Sequence, residues 1–361
     1  MNISKICNEF LIEGEFKSFD IITAGNINTT YKVITCDNNV EYQYLVQRIN
    51  KNVFNKPEKI MENIALANEY LENNPKQKDL IVLNFINTKE GKSYYVDKQG
   101  NFWRACNYFD CVCFNSPSDL NVIEEAGKAF GEFQYLFDGY DANKLNITIP
   151  DFHDTKKRIY DFELNLKHSI NSRKVEASKE VEYILQNKEK AKLLCNLYEE
   201  GLLPIRVTHN DTKCNNVLFD KVTKKPIVVI DLDTIMPGMS MYDFADAVRF
   251  IANTAVEDEP DTSKVFFDTA KFRAFAKGFI GATHQSLEKV EIENLVKATF
   301  SITIELASRF LDDYITGDKY FRCAYPNHNL VRTRCQLQLA KDIERKWDEL
   351  EWIVRDVIEK I

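Results

Sequence analysis

The chain has 361 residues, of which 44% are hydrophobic and 28% charged, and a formal net charge of −8. That length and apolar content bury a large core and exceed one compact unit, so two lobes are expected, and the acidic balance argues against a broad nucleic-acid surface. No apolar run reaches the roughly 18 residues of a membrane span, Met1 to Glu9 lacks a signal-peptide core, and nine scattered cysteines read as reduced thiols, so a cytoplasmic monomer with no nucleic-acid or membrane partner is expected.

The first third reads as mostly β. Alternating or β-branched runs at Phe16 to Ile22, Thr30 to Thr35 and Tyr42 to Ile49, separated by turn-rich pieces, predict a meander. The first connection, Ala24 to Thr30, holds Gly25, Asn26, Asn28, Thr29 and Thr30, small and polar residues whose N–H groups and hydroxyls can approach an anion. It has a single glycine and neither G-x-G-x-x-G nor a P-loop, so on its own it is an ordinary hairpin turn. The third strand carries Gln47 and Arg48, of which alternation lets only one face a cleft. A helix begins near Lys56-Pro57-Glu58 with Ile60, Ile64, Ala67 and Leu71 on one face, and places Glu62 as a candidate partner for Arg48. Runs at Leu80 to Phe85, Ser93 to Val96 and Phe102 to Phe109 are expected to complete the small sheet.

From Asp119 the periodicity becomes helical. Ala126, Phe130, Phe133 and Phe137 form a buried stripe, and helices follow at about 156–172, 178–200 and 329–359. Between them lies the richest stretch of the chain, Thr208 to Asp220 followed by Val228 to Asp233. Asp211 follows a short apolar strand, Asn216 comes five residues later, and Asp231 ends the next apolar run. A positioned carboxylate takes a proton from a hydroxyl, while an amide oxygen and a second carboxylate are hard ligands for magnesium; this is the equipment of ATP-dependent phosphoryl transfer. Protein kinases space the same groups as H-R-D-x-x-x-x-N with an Asp after the next hairpin strand. His209 reads as a hydrogen-bonding brace for the loop. Asp243 and Asp246, at the start of a helix, are either paired catalytic carboxylates or groups that cap the helix and brace the loops, and the bracing role is preferred. Asp233, two residues past Asp231 in extended chain, is a candidate for a substrate hydroxyl or backbone near the metal.

His209 to Asn216, Ile230 to Asp233 and Met241 to Asn253 together resemble the aminoglycoside phosphotransferase and choline kinase superfamily. Glu305 to Leu311 and Tyr314 to Phe321 are similar to its N-acetylhexosamine 1-kinase branch, and the resemblance runs from about Phe19 to Trp352. It implies an α+β, protein-kinase-like two-lobed fold, with a nucleotide-binding lobe at 1–107 and a catalytic, acceptor-binding lobe at 108–361. It also implies ATP and Mg2+ as cofactors, with Asp211 as base and Asn216 and Asp231 on the metal. The turn residues Gly25, Asn26, Asn28, Thr29 and Thr30 would cover the phosphates, and Arg48 would supply their cation, Gln47 inheriting that role if Arg48 points away. Adenine would sit near Cys106 to Cys113. The acceptor is expected to be an N-acetylhexosamine phosphorylated at its anomeric hydroxyl and held by Asp211, Asp233, Arg309 and Tyr320, with Phe250 against the ring or in the core. A superfamily kinase for choline, homoserine or an aminoglycoside, and a non-catalytic nucleotide-binding module, are the alternatives. A protein kinase is disfavoured because D-F-G and A-P-E are missing.

Overall fold

A computed structural model describes residues 2–23, 27–76 and 80–361, so the expected phosphate-covering residues Gly25 and Asn26 lie outside the described residues. After a short helix α1 (Ile3–Cys7), strands β1 (Glu15–Ile22), β2 (Thr29–Asp37) and β3 (Val40–Ile49) run as an antiparallel meander. Asn38 and Asn39 form the β2–β3 turn with φ of 47° and 65°, the left-handed pair that a two-residue hairpin requires and asparagine tolerates. Helix α2 (Pro57–Glu72) starts on its proline and buries Ile60, Ile64, Ala67 and Leu71. Strands β4 (Ile81–Val82), β5 (Tyr95–Val96) and β6 (Phe102–Asn107) follow, and the sheet has the order β1-β2-β3-β6-β5.

Directly opposed residues share a face of a sheet. Tyr31, Val46 and Ala105 therefore pack outward with Trp103 against Ile3, Ile6 and Phe10, while Leu45, Ile49 and Phe102 face inward to the main core.

The second lobe opens with α3 (Leu120–Leu136), whose N-cap Asp119 accepts the Asn121 N–H. Helices α4 (Thr155–Asn165), α5 (Asn171–Glu176), α6 (Ser178–Ala191) and α7 (Leu193–Glu199) lead to strands β7 (Arg206–Thr208), β8 (Val217–Phe219), β9 (Pro226–Val229) and β10 (Met236–Gly238). The chain closes with α8 (Ser240–Ile251), α9 (Thr269–Thr283), α10 (Lys289–Glu293), α11 (Leu295–Thr316), α12 (His328–Arg345) and α13 (Trp347–Glu359). The architecture is the expected α+β, kinase-like two-lobed one, and none of the helices among the described residues is long and apolar enough to cross a membrane.

Two expectations about elements are corrected. Strand β4 does not complete the small sheet but pairs in parallel with β9, which itself pairs with β8, so a piece of the first lobe joins the second lobe's hairpin. That pairing buries Val82 beside Val228 and Val229 and extends to the Leu83 N–H on the Val229 carbonyl at 3.3 Å. The expected long helices are also divided, at Lys192 and Lys346 and after Asn165.

Helix α3 is clamped to α9 by glycine contacts. A Cβ at Gly278 would lie 2.0 Å from the Glu124 carbonyl oxygen and one at Gly127 2.3 Å from that of Phe275, so only glycine permits this approach of the two backbones. The buried Phe130 and Phe133 of α3 are thereby held under the loops that follow β7 and β9.

Candidate active site

Two loops meet because their flanking strands pair. β7 lies antiparallel to β10, with Thr208 opposite Met236, and β8 to β9, with Val217 opposite Val229. The Ile230 N–H donates to the Asn216 carbonyl at 2.9 Å, which sets Asn216 next to Asp231. Asn210 and Asp231 both take left-handed backbone, at φ 65° and 60°, where each chain turns sharply.

His209 is fully buried between these loops. Its Nε2 is 2.9 Å from the Ile230 carbonyl, its Nδ1 receives the Asp211 N–H at 3.3 Å, and its ring meets Phe130 and Phe133 edge-on at 5.6 and 5.7 Å. The hydrogen bonds assign the proton to Nε2 and fix the ring as a bridge. From the first turn of α8, the Asp243 carboxylate accepts the His209 N–H at 2.9 Å, the Asn210 N–H at 2.7 Å and a Gln134 amide N–H. Burial pushes this carboxyl up, opposed by His209 and these donors. Asp246 pairs with Arg249 at 2.8 Å; burial works to raise its carboxyl, but Arg249, Lys213 and His153 hold it below the usual range. Both aspartates thus lie in the scaffold beneath the loop.

Asp211 Oδ2 accepts from the Asn216 Nδ2 at 3.2 Å, and its Oδ1 lies 2.9 Å from the Lys213 ammonium. The Asn216 Nδ2 also binds the Asp211 carbonyl at 2.8 Å, so Oδ1 is the atom this amide can offer a metal. Asp231 keeps contact with solvent at the cleft floor, yet the protein packed around it, together with Asp233 and Asp211, pushes its carboxyl up to about 6 against the pull of Arg104 and His209. An accumulation of carboxylates of this kind favours a bound cation. Among the described residues no group of three or more His, Cys, Asp or Glu is arranged to hold a metal alone. Magnesium held by one or two protein oxygens together with phosphate does not require such a cage.

The inner face of the N-terminal sheet carries a polar row. The Arg104 Nε donates to the Gln47 Oε1 at 2.9 Å and the Gln47 Nε2 to the Thr30 hydroxyl at 3.1 Å, while the Arg104 guanidinium is ion-paired with Asp233. Asn28 donates to the other oxygen of Asp233 at 2.8 Å. Four placements differ from expectation, those of Arg48, Thr29, Asp233 and Glu62. Arg48 is in register with Thr29 and Trp103, so it and the expected phosphate-covering Thr29 both lie on the sheet face opposite to Gln47, and its guanidinium reaches the Thr29 hydroxyl at 3.4 Å. The cation facing inward is Arg104, 2% exposed. Asp233 is also buried at 2% exposure with both carboxylate oxygens engaged, so it ties the lobes together rather than meeting an acceptor hydroxyl. Glu62 binds the Asn146 side chain at 3.0 Å instead of Arg48, while its neighbour Asn63 donates to the Ile235 carbonyl at 2.8 Å, another tie from α2 to the Asp231 loop.

Arg309 and Tyr320 come together around a cavity of about 340 Å³, with the guanidinium 5.9 Å from the Tyr320 ring and 5.7 Å from that of Phe321. One turn before Arg309, Glu305 accepts from the Thr155 hydroxyl at 2.6 Å and lies 3.3 Å from the His153 Nδ1, whose Nε2 is 3.3 Å from the Asn210 carbonyl. The carboxylate beside it holds His153 above the ordinary histidine range despite its burial. Helix α11 is thereby joined to the loop that follows β7. Phe250 is half-buried on α8 and does not line this cavity. Where the chain passes between lobes, Val112 and Phe219 exchange two backbone bonds, of 3.0 and 2.8 Å.

Sequence reasoning missed Arg104, Lys213, His153 and Glu305. Arg104 had a signal, a lone charge in the apolar run Phe102 to Cys106, and Lys213 stands two residues after Asp211. The His153–Glu305 pair, 152 residues apart, had none.

A family described as "Phosphotransferase enzyme family" matches residues 19–275, more than half of the chain. Among solved structures, that of a microcompartment-associated aminopropanol kinase is similar with a TM-score of 0.62 at 14% identity, over 97% of this chain and 98% of that one. Choline kinase from Cryptosporidium parvum Iowa II gives 0.58 at 15%, over 98% of each chain. Spectinomycin phosphotransferase in complex with ADP and spectinomycin gives 0.55 at 12%, over 98% of this chain and 97% of that one.

Proposed function

The chain belongs to the phosphotransferase enzyme family, and on that premise we propose that it transfers the γ-phosphoryl group of ATP to the anomeric hydroxyl of an N-acetylhexosamine, giving a hexosamine 1-phosphate. The observation that carries the reading is the joining of the Asp211 loop, through the Asn210 carbonyl, His153 and Glu305, to helix α11 one turn before the cavity-lining Arg309. Proton acceptor and acceptor-binding groups then belong to one rigid assembly, which phosphoryl transfer needs because positioning supplies most of the catalysis.

In this reading Asp211 takes the proton of the acceptor hydroxyl. Lys213, held against Asp211, places positive charge where negative charge gathers during transfer. Asn216 and Asp231 hold Mg2+, which neutralises phosphate charge when bound. Asn28 and Thr30 present polar groups on the inner face of the sheet, where Arg104 with Gln47 supplies the polarity expected of Arg48. Adenine lies against the backbone between Cys106 and Cys113. Arg309 and Tyr320 hold the sugar, with hydrogen bonds from the guanidinium and an apolar ring face.

One observation favours a second acceptor class. The same cavity is lined by Asp161 and Asp312, and carboxylates suit a cationic amine. The aminopropanol kinase and the choline kinase that share the fold act, by their names, on amino alcohols. A panel of N-acetylhexosamines, other free sugars, amino alcohols, choline, homoserine and aminoglycosides with ATP and Mg2+, scored for ADP, separates the readings. Turnover confined to N-acetylhexosamines, with acid-labile phosphate in the product, supports the first. Turnover confined to amines replaces it with the second, and no ADP with any acceptor points to a non-catalytic nucleotide-binding module.

A further inference from the structure

The end of helix α11 contains a carboxylate where helix electrostatics disfavour one. Asp313 lies in the last turn, where the aligned carbonyls already present negative charge. It is nonetheless 5% exposed, and its environment explains why. Gly317 at φ 109° and Asp318 at φ 56° reverse the chain, their N–H groups returning to the Asp313 carbonyl at 3.0 and 2.8 Å. The next three N–H groups converge on the Asp313 side chain: Lys319 at 2.7 Å and Tyr320 at 2.8 Å on Oδ1, and Phe321 at 2.9 Å on Oδ2. The Asn329 amide from α12 adds a fourth donor at 2.9 Å and also reaches Asp318 at 2.9 Å, while Arg173 of α5 holds the other Asp318 oxygen at 2.6 Å. Successive N–H groups around an anion form a rigid concave nest, and here the anion is the protein's own.

The moulded residues include the two aromatics that flank Arg309. Tyr320 is 73% exposed, so packing does not fix its position, and the backbone bonds to Asp313 do. We propose that Asp313 is a positioning residue for acceptor recognition, its carboxylate shaping Lys319–Phe321 so that Tyr320 and Phe321 close the cavity over Arg309. This rests on the reading of that cavity as the acceptor site. Asp313 touches no reacting atom in this account, so its loss acts on acceptor binding and not on the phosphoryl-transfer step.

The test compares Asp313→Asn with the parent. An amide of the same shape turns its NH2 against donors and cannot accept all four bonds. Trypsin cuts after Lys319 and Arg322 in the same exposed segment, so digestion reads the moulding without an acceptor. Cleavage at these bonds is expected to rise about tenfold or more in Asp313→Asn with cooperative unfolding retained. The acceptor KM is expected to rise about tenfold with kcat and the ATP KM within about twofold. Asp313→Glu, which keeps the charge, is expected to recover part of both. Parental cleavage rates in Asp313→Asn overturn the moulding, and faster cleavage with an unchanged acceptor KM overturns the link to recognition. If Asp313→Asn fails to fold, Asn329→Ala removes one of the four donors to Asp313, together with the bonds to Asp318 and Arg332, and is expected to shift both readouts in the same direction by less; unchanged readouts there overturn the proposal. The KM arm uses whichever acceptor the parent turns over best. A parent that turns over none overturns the functional reading, and the recognition half of this inference with it, a result distinct from an active parent with an insensitive variant.

Discussion

The loops around Asp211 and the cavity around Arg309 are built on different scales. In the first, Asp211, Asn216 and Asp231 are brought together by two short strand pairings within a stretch of about 30 residues. In the second, α4, α11 and the segment after Gly317 must pack before Arg309, Asp161 and Tyr320 share a wall. Phosphoryl transfer asks for the same few oxygen and nitrogen atoms whatever the acceptor, so a compact local device can serve. Acceptor choice depends on the shape of a composite wall, which can change without disturbing the device.

Four experiments bear on that contrast. The largest expected effect is at the base: Asp211→Asn lowers kcat by about 10²- to 10⁴-fold with little change in either KM, as steady-state kinetics will show. Next is the scaffold under the loop. Asp243→Ala leaves two backbone N–H groups and the Gln134 amide without their carboxylate in a fully buried place, and is expected to cost roughly 3 kcal/mol of stability, read by denaturant unfolding. A negligible cost would mean that α8 does not hold the loop. Smaller is Arg309→Ala, which raises the acceptor KM about tenfold while the ATP KM stays put; equal effects on both substrates would erase the distinction between the two regions.

The smallest concerns Asp231 and pH. Its carboxyl is raised from an ordinary aspartate value near 4 to about 6. The folded chain therefore binds more protons than the unfolded chain between those values, and metal-free stability from this group falls as pH rises through that window. Mg2+ needs the ionised form, so its affinity weakens as pH drops below about 6. Thermal unfolding with and without Mg2+ across pH 4 to 8 checks both signs, and Asp231→Asn is expected to flatten the metal-free fall and abolish the Mg2+ gain.

Much of the architecture was legible in the sequence. Strand alternation predicted the meander, Pro57 marked the start of α2, and the phenylalanine spacing marked the buried face of α3. The spacing of Asp211, Asn216 and Asp231 was legible because hairpin pairing turns sequence distance directly into proximity. What stayed hidden depended on register or on remote partners. Arg48 and Arg104 each sit in a strand of the same sheet, and one residue of parity decides which faces inward. The two residues of β4 have the same apolar pattern in either sheet, so only the open edge of β9 decides their partner. The breaks at Lys192 and Lys346 carry no proline or glycine. Gln134 meets Asp243 across 109 residues, a pairing that no local pattern announces.

Phosphorus NMR of the product formed from N-acetylglucosamine, ATP and Mg2+ reads whether the phosphoryl group goes to the anomeric hydroxyl. Transfer to that hydroxyl gives a phosphate coupled to the anomeric proton and lost on mild acid treatment, formed about 10²- to 10⁴-fold more slowly by Asp211→Asn; an acid-stable 6-phosphate, or no phosphorylated sugar under conditions where another acceptor is turned over, would rule it out.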